Sequence, residues 1–301
     1  MTNPLCSLIF NEKINLQKIV DYFSGIGYYK CRQRIKTTLH KARLTALYGL
    51  PKGDNILHLI KKITCIAAGG LLTGTAMAAA CYYSSARVNH EKYPVFGVDV
   101  SNYQGIIDWQ QLEAQDVSFA FIKATEGSGH VDESARRNLE NAAETDIKLS
   151  AYHFFSFDSP GETQAANFIS VVEKDDIDIP PVVDIEYYAD KKSNKPSKSE
   201  AEAILRPLLE DLEEYYGEKP IIYTTLPVYC RYVKEDFSDY PLWIRSVNME
   251  PDLLDWKFWQ YCDSGKLDGY VGDEECIDFN VYNGSFEEFI EEYGGKNERE
   301  K

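Results

Sequence analysis

The sequence from Tyr93 onward predicts an α/β fold, an irregular parallel barrel that lacks helices in its late half. Eight short β-rich runs recur along this part of the chain, and helical stretches separate the first five of them. Only about ten to sixteen residues separate the fifth to eighth runs, which is too few for a helix each time. An open doubly wound sheet is the alternative, but no GxGxxG pattern follows the first run.

The predicted strands are rich in β-branched and aromatic residues, and they cover 95–101, 118–125, 148–156, 180–186, 219–225, 241–246, 257–262 and 276–282. The predicted helices cover 108–115, 133–145, 161–175 and 199–216, with 286–293 closing the chain. Asp108, Ser134 and Ser199 lie near helix starts, where their side chains can accept hydrogen bonds from free backbone N–H groups. Pro207 has no backbone N–H and predicts a kink or a break in the fourth helix.

Charge divides the chain into two regions. Residues 1–90 carry 12 Lys and Arg against 3 Asp and Glu, whereas residues 91–301 carry 20 against 45. This contrast predicts that the two regions have different surroundings. Because the second region has a net charge of −25, it would repel phosphate, and nucleic acid is not an expected partner.

The basic region contains an uncharged segment that is long enough to cross ~30 Å of hydrocarbon as a helix. The positive charge before this segment predicts a cytoplasmic N-terminus and an external remainder. We therefore expect a basic region at 1–62, a transmembrane or signal segment at 63–83, a linker at 84–94, a barrel at 95–293 and a charged tail at 294–301.

Several interpretations of residues 63–83 stay open. An uncleaved anchor would hold the barrel outside the cytoplasmic membrane, in the periplasm or at the cell surface. A cleaved signal peptide would release it, although a basic flank of 62 residues is long for such a signal. A lipoprotein would use Cys81, which follows three alanines in a weak lipobox. A buried Ala-rich helix is the purely structural alternative.

The seven cysteines form no CxxC pair, so they predict neither a zinc site nor a disulfide scaffold. Three of them, Cys230, Cys262 and Cys276, lie in the acidic region. Cys262 and Cys276 could meet if their strands are neighbours, but buried free thiols are the favoured interpretation.

Acidic side chains lie near the ends of three predicted strands. The run at 180–186 reads Pro-Pro-Val-Val-Asp-Ile-Glu, and because side chains alternate along a strand, Asp184 and Glu186 share a face. Each carboxylate at this spacing raises the pKa of the other. Asp99 and Asp278 lie on the first and last strands, which are neighbours in a closed barrel. We therefore expect all four carboxylates to converge at the C-terminal rim.

Carboxylates without a cluster of histidines suit glycoside hydrolysis, in which one acid donates a proton while another supports positive charge at the sugar carbon. Aromatic residues on the strands also favour a sugar substrate, since their faces can pack against sugar rings. Two alternatives stay open. One is a barrel that binds glycan strands without cutting them, and the other is a phosphodiesterase whose carboxylates hold Mg²⁺ or Ca²⁺.

Six motifs between residues 95 and 289 resemble, in order, those of glycoside hydrolase family 25. They are Gly97-Val98-Asp99-Val100-Ser101, Phe121-Ile122-Lys123-Ala124-Thr125-Glu126-Gly127, Ala151-Tyr152-His153-Phe154-Phe155, Val183-Asp184-Ile185-Glu186, Trp259-Gln260-Tyr261 and Ile277-Asp278-Phe279-Asn280. The resemblance implies a TIM-like (β/α)5(β)3 barrel. It also implies a lysozyme that cleaves the β-1,4 bond between N-acetylmuramic acid and N-acetylglucosamine in peptidoglycan. We expect a monomer that uses no cofactor and no metal.

The resemblance also implies roles for particular residues. Glu186 would be the general acid, and Asp184 would steady the 2-acetamido group of the substrate as this group attacks its own anomeric carbon. Asp99 and Asp278 would orient or electrostatically support the site. Substrate-binding side chains are expected at Tyr152, Tyr223, Trp259, Lys123, Asn280 and Arg245.

Alternatives remain at a few positions. Lys123 and Glu126 fall on opposite faces of a regular strand, so one of them would be structural. His153 is either a hydrogen-bonded core histidine or a substrate contact. Arg245 departs from the family pattern, in which a small residue precedes an aromatic. It would either reshape the groove or meet a carboxylate of the peptide stem or the lactyl group.

Overall fold

The structure, a computed structural model, describes residues 88–247 and 249–295. The predicted basic region, the uncharged segment, Cys81 and most of the charged tail lie outside these residues, so the predictions made for them stay predictions. Within the described ranges, no helix is both long enough and apolar enough to cross a membrane.

Eight strands close into a barrel, as the sequence predicts, and each end lies within three residues of its predicted position. The barrel strands are β1 (Phe96–Val100), β3 (Val117–Glu126), β5 (Lys148–Phe154), β6 (Val182–Ile185), β7 (Ile221–Thr225), β8 (Leu242–Arg245), β9 (Phe258–Gly265) and β11 (Ile277–Tyr282). Two short strands, β2 (Ile106–Ile107) and β10 (Tyr270–Val271), pair beside the barrel, and β4 (His130–Val131) forms a hairpin with the end of β3.

The last strand does not follow the parallel arrangement that the sequence predicts. β11 pairs antiparallel with β1 and with β9, whereas the other six pairings around the barrel are parallel. The connection from β9 to β11 turns back beside β9, so that the two strands pair as an antiparallel hairpin. This reversal matters because Asp278 lies at the start of β11, and only an antiparallel strand begins at the rim where the parallel strands end.

The helices lie in the early part of the barrel and at its end. They are α1 (Trp109–Glu113), α2 (Ala135–Ala142), α3 (Gly161–Ile169), α4 (Lys198–Tyr216) and α5 (Phe286–Tyr293). Short 3-10 turns lie at Asn102–Gln104, Lys174–Asp176 and Ala189–Lys192, and a helical turn at Leu226–Val228 continues into a π-helical turn at Tyr229–Val233. The short connections of the late half therefore hold no long helix in the described part of the chain.

Helix caps agree only partly with the predicted starts. Asp108 accepts a hydrogen bond from the backbone N–H of Gln111 and caps α1, as predicted. Ser134 precedes α2 but makes no capping hydrogen bond with its side chain. Ser197, not Ser199, caps α4.

α4 continues through Pro207, so the predicted break is absent. The helix buries a leucine-rich face against the barrel, and this packing holds the helix together across the missing backbone hydrogen bond. α4 also packs very closely against α3. A Cβ added to Gly161 of α3 would lie only 2.1 Å from the carbonyl oxygen of Ile204 in α4.

Two apolar clusters lie on the two sides of the barrel wall. Val183 and Ile185 belong to the outer cluster, between the strands and the helices, on the opposite strand face from Asp184. The inner cluster fills the barrel with large side chains, among them Phe121, Val182, Tyr223, Trp243 and Phe258. α5 adds Phe289 and Tyr293 to this cluster and covers the end of the barrel where the parallel strands begin. The opposite end of the barrel, where the parallel strands end, is therefore the end at which a functional site can lie.

The three described cysteines are free thiols. β9 and β11 are neighbours, but their register places Phe279 opposite Cys262, and Cys262 forms no disulfide with Cys276. The expected burial is wrong, since Cys230 is exposed and the other two are partly exposed.

Candidate active site

The four predicted carboxylates lie on, or directly after, strands that meet at one rim of the barrel. Asp99 and Asp278 are direct partners across β1 and β11. The side-chain amide of Gln260 donates hydrogen bonds to both, at 2.8 Å to Asp99 Oδ2 and 3.0 Å to Asp278 Oδ2. Glu186 follows β6, and its charge acts on both Asp99 and Asp184.

Burial makes ionisation of these groups unfavourable. Burial raises the pKa of Asp99 to about 6, against the lowering effect of hydrogen bonds from Asn280 and Gln260. Burial and the nearby charge of Asp99 raise the pKa of Asp278 to about 8. At least part of this cluster therefore keeps protons near neutral pH.

Asp184 and Glu186 differ in their surroundings. Asp184 is buried, and burial together with the charge of Glu186 raises its pKa well above the usual value. Its Oδ1 atom has no hydrogen-bond partner among the described residues. Glu186 is half-buried, and burial raises its pKa while the cations Arg245 and Lys192 lower it. The pair thus combines a buried acceptor with a partly accessible acid.

Gln260 is a site residue that lies in the Trp259-Gln260-Tyr261 motif but is not among the predicted site residues. It is buried, and its Oε1 accepts a hydrogen bond from the Tyr223 hydroxyl at 2.9 Å. Asn280 has a similar role, because its amide donates to Asp99 and its oxygen accepts from Trp243 Nε1, both at 2.8 Å. In the sequence, Gln260 can be seen only to share a strand face with Phe258. The register of β9 against β11, and of β11 against β1, is needed to show that this face meets Asp99.

A bulge in β3 brings Lys123 and Glu126 together. The pairing of β3 with β5 skips Ala124, so both charged side chains lie on one face of the strand. They form an ion pair of 2.9 Å, and the Lys123 ammonium lies 5.0 Å from the centre of the Phe154 ring. The prediction that they lie on opposite faces is wrong because it assumed a regular strand.

The three predicted aromatic contacts lie in different places. Tyr152 is half-buried, and the charges of Asp99 and Asp184 act on it, so it lies beside the carboxylates. Tyr223 is buried below them and supports Gln260. Trp259 does not lie with them. It packs on the outer face of β9 against Trp256 and donates to the backbone oxygen of Ser246, so the structure disagrees with its predicted contact with sugar.

His153 is a core histidine. It is fully buried, with Nδ1 2.7 Å from Thr125 Oγ1 and Nε2 3.0 Å from Gln164 Oε1. Burial lowers its pKa to about 4, so the ring is neutral near pH 7.

Arg245 ends β8 and forms an ion pair with Asp263 of β9. Its charge acts on Asp99, Glu186 and Asp278, which places the guanidinium beside the carboxylate cluster. No group of three or more His, Cys, Asp or Glu side chains in residues 88–247 and 249–295 is arranged to hold a metal ion.

This arrangement can support acid–base chemistry, since half-buried carboxylates with raised pKa values can give up protons near neutral pH. It lies at the C-terminal rim, which is the catalytic end of β/α barrels.

Comparison with known proteins identifies the family. The profile of glycosyl hydrolases family 25 matches residues 98–270. The chain is 36% identical over 204 residues to uncharacterized protein YegX of Escherichia coli (strain K12), covering 65% of this chain and 72% of that protein. It is 31% identical over 207 residues to lysozyme M1 of Streptomyces globisporus, covering 64% of this chain and 68% of that protein.

A solved structure supports the same assignment. A family 25 glycosyl hydrolase from Bacillus anthracis is 47% identical, with a TM-score of 0.64, and the match covers 69% of this chain and 96% of that one. The chain therefore belongs to glycosyl hydrolases family 25 and is a glycoside hydrolase.

Proposed function

We propose that this chain is a lysozyme that hydrolyses the β-1,4 bond between N-acetylmuramic acid and N-acetylglucosamine in peptidoglycan. The observation that carries the proposal is the cluster of carboxylates with raised pKa values at one rim of a family 25 barrel. Similar proteins support the substrate class, since their names include lysozyme M1, autolytic lysozyme and N,O-diacetylmuramidase.

In this proposal Glu186 is the general acid. It gives its proton to the glycosidic oxygen as the bond from this oxygen to the anomeric carbon breaks. Its half-buried position supports the role, because burial raises its pKa while substrate can still reach it.

Asp184 assists the acetamido group of the substrate. The acetamido oxygen bonds to the anomeric carbon as the leaving group departs, and a positive charge develops on the amide. The Oδ1 of Asp184, which has no hydrogen-bond partner among the described residues, is suited to accept a hydrogen bond from the acetamido N–H, an interaction that strengthens as positive charge develops on the amide. Water then attacks the anomeric carbon and gives a proton to Glu186, and the acetamido group is restored.

The remaining residues hold and shape the site. Asp99 supports the developing positive charge, Asp278 helps to orient the site, and Asn280 fixes Asp99 through its amide hydrogen bond. Tyr152 and Lys123 are proposed to contact the sugar from the β3–β5 side of the groove. Tyr223 lies deeper in the barrel and supports the site through its hydrogen bond to Gln260.

Release of reducing ends from purified peptidoglycan tests the reaction. We expect Glu186→Gln to lower kcat by about 10²–10⁴-fold, because the amide cannot donate the proton. The matched control is Glu144→Gln, which changes an exposed carboxylate and should keep wild-type activity. Equal rates for wild type and Glu186→Gln would contradict the assignment of the acid.

We also propose that the catalytic domain acts outside the cytoplasmic membrane, anchored through residues 63–83. The support is the uncharged segment and the basic residues before it. Protease added to intact spheroplasts should digest the domain, whereas full protection would refute this location.

A further inference from the structure

The rim of the barrel that holds the site is rich in acidic groups, and these groups disfavour the binding of an acidic substrate. Asp99, Asp184, Glu186 and Asp278 meet there, and Asp263 lies close by on β9. Peptidoglycan itself carries carboxylates, on its peptide stems or on lactyl groups that have lost their stems. A substrate carboxylate is repelled by those of these groups that are ionised, unless a cation binds it.

Lys123 is poorly placed for this task. Its side chain is only 15% exposed, Glu126 already binds it, and it lies over the Phe154 ring.

Arg245 is better placed than Lys123 to bind a substrate carboxylate. Its side chain is 33% exposed, it is on the same strand face as Trp243, and its charge reaches Asp99, Glu186 and Asp278. A guanidinium has five N–H donors, and the described residues engage only its Nη2 nitrogen. Donors therefore remain for a second carboxylate, which Arg can bind through two parallel hydrogen bonds.

Asp263 is suited to hold Arg245 in the free enzyme without blocking it. Its side chain is 44% exposed, so the ion pair lies in water at the rim. An ion pair between exposed groups contributes little net stability, and an incoming carboxylate can share or replace Asp263 with little loss.

We propose that Arg245 is a specificity-determining residue that binds a carboxylate of the glycan substrate beside the scissile bond, and that Asp263 positions its guanidinium. This inference rests on the proposed lysozyme function and adds the substrate group that is recognised. It predicts that the enzyme prefers substrates with a carboxylate at this point over neutral ones.

Three forms of one glycan distinguish whether the bound carboxylate comes from the peptide stem or from the lactyl group. Intact strands carry carboxylates on the peptide stems, because their lactyl carboxyl is bound in an amide. Strands stripped by an amidase carry only the lactyl carboxylate. Stripped strands coupled to methylamine carry neither. The ratio of kcat/KM between a charged form and the methylamide form measures the preference, whatever the absolute activity.

We expect Arg245→Gln to reduce this ratio by about 10-fold or more for at least one charged form, since a charge-assisted hydrogen bond is lost. Arg245→Lys should restore part of the ratio, because it keeps the charge but not the paired donors. Asp263→Asn keeps Arg245 but removes the carboxylate that positions it, so it should reduce the ratio by less than Arg245→Gln does, and an unchanged ratio would refute the positioning role of Asp263. A fall in kcat/KM that is equal on all three glycans would overturn the proposal, since Arg245 would then act only through the catalytic carboxylates.

A binding measurement separates this inference from the reaction itself. In a Glu186→Gln background, calorimetry with short stripped and methylamidated glycans reports affinity without turnover. Tighter binding of the charged glycan that disappears in the Glu186→Gln, Arg245→Gln double variant would support Arg245 even if no hydrolysis were seen. Equal affinity of the two glycans in the Glu186→Gln background would refute the carboxylate site.

Discussion

At the scale of single residues, Gln260 joins two carboxylates and one hydroxyl in a buried position. Its amide donates to Asp99 and Asp278, and its oxygen accepts from Tyr223. An amide is suited to this place because it supplies both donors and an acceptor without adding charge to an already acidic cluster. Gln260 therefore holds two acidic side chains side by side that would otherwise repel each other.

Replacing Gln260 by Leu should lower the free energy of unfolding by about 2–4 kcal/mol, because the buried Tyr223 hydroxyl and two half-buried carboxyl groups lose a partner. Tyr223→Phe removes only one of these hydrogen bonds and should cost about 1–2 kcal/mol. Urea unfolding at pH 7 measures both. If Gln260→Leu costs no more than Tyr223→Phe, the network does not hold the carboxylates as described.

The pKa of Asp278 predicts how stability depends on pH. It is raised to about 8 in the folded chain, while an unfolded Asp has a pKa of about 4. Between these values the folded chain keeps a proton that the unfolded chain has lost, so stability should fall as pH rises from about 4 to 8. Asp278→Asn removes this group and should flatten the decline in urea unfolding at pH 5 and 8.

The control for this measurement is Asp146→Asn, which alters an exposed carboxylate. It should keep the wild-type difference between pH 5 and pH 8. A slope that Asp278→Asn leaves unchanged would show that Asp278 ionises in the folded chain as it does in the unfolded one.

At the scale of elements, one bulge and one reversed strand build the site. The bulge at Ala124 places Lys123 and Glu126 on the same face. The antiparallel direction of β11 places Asp278 opposite Asp99. Neither feature has a clear signal in the local sequence, since a bulge depends on how the neighbouring strand pairs and strand direction depends on the path of the connection.

The contact between α3 and α4 depends on Gly161. A Cβ added there would lie 2.1 Å from the carbonyl oxygen of Ile204 and 2.8 Å from the backbone nitrogen of Leu208, so the helices would have to separate. We expect Gly161→Ala to lower the free energy of unfolding by about 2 kcal/mol or more.

Gly129→Ala is the matched control, because an added Cβ there meets nothing within 4 Å. It should change stability by no more than about 0.5 kcal/mol. Thermal or urea unfolding compares the two variants, and equal stabilities would mean that the helices move apart without cost.

At the scale of the whole molecule, charge should govern the approach to the cell wall. Residues 91–301 carry 45 acidic against 20 basic residues, so an anionic wall polymer is repelled at long range. Salt screens this repulsion, with a Debye length of about 10 Å at 0.1 M.

Raising salt from about 20 to 200 mM should therefore lower KM for intact anionic walls by several-fold. The matched substrate is a short methylamidated glycan, for which KM should change little. Turnover assays with the full chain measure both values. A KM for intact walls that rises with salt would show that local cations, not the net charge, control the encounter.

The sequence by itself determined the barrel, its eight strands, the absence of long helices late in the fold and the four carboxylates, because these features rest on local hydrophobic periodicity and on motifs within single strands. Only the tertiary structure decided that Gln260 joins Asp99 to Asp278, that Trp259 lies outside the barrel and that Arg245 is paired with Asp263. The physical reason is that these relations depend on register and strand direction, which arise when distant segments pair and cannot be read from neighbouring residues.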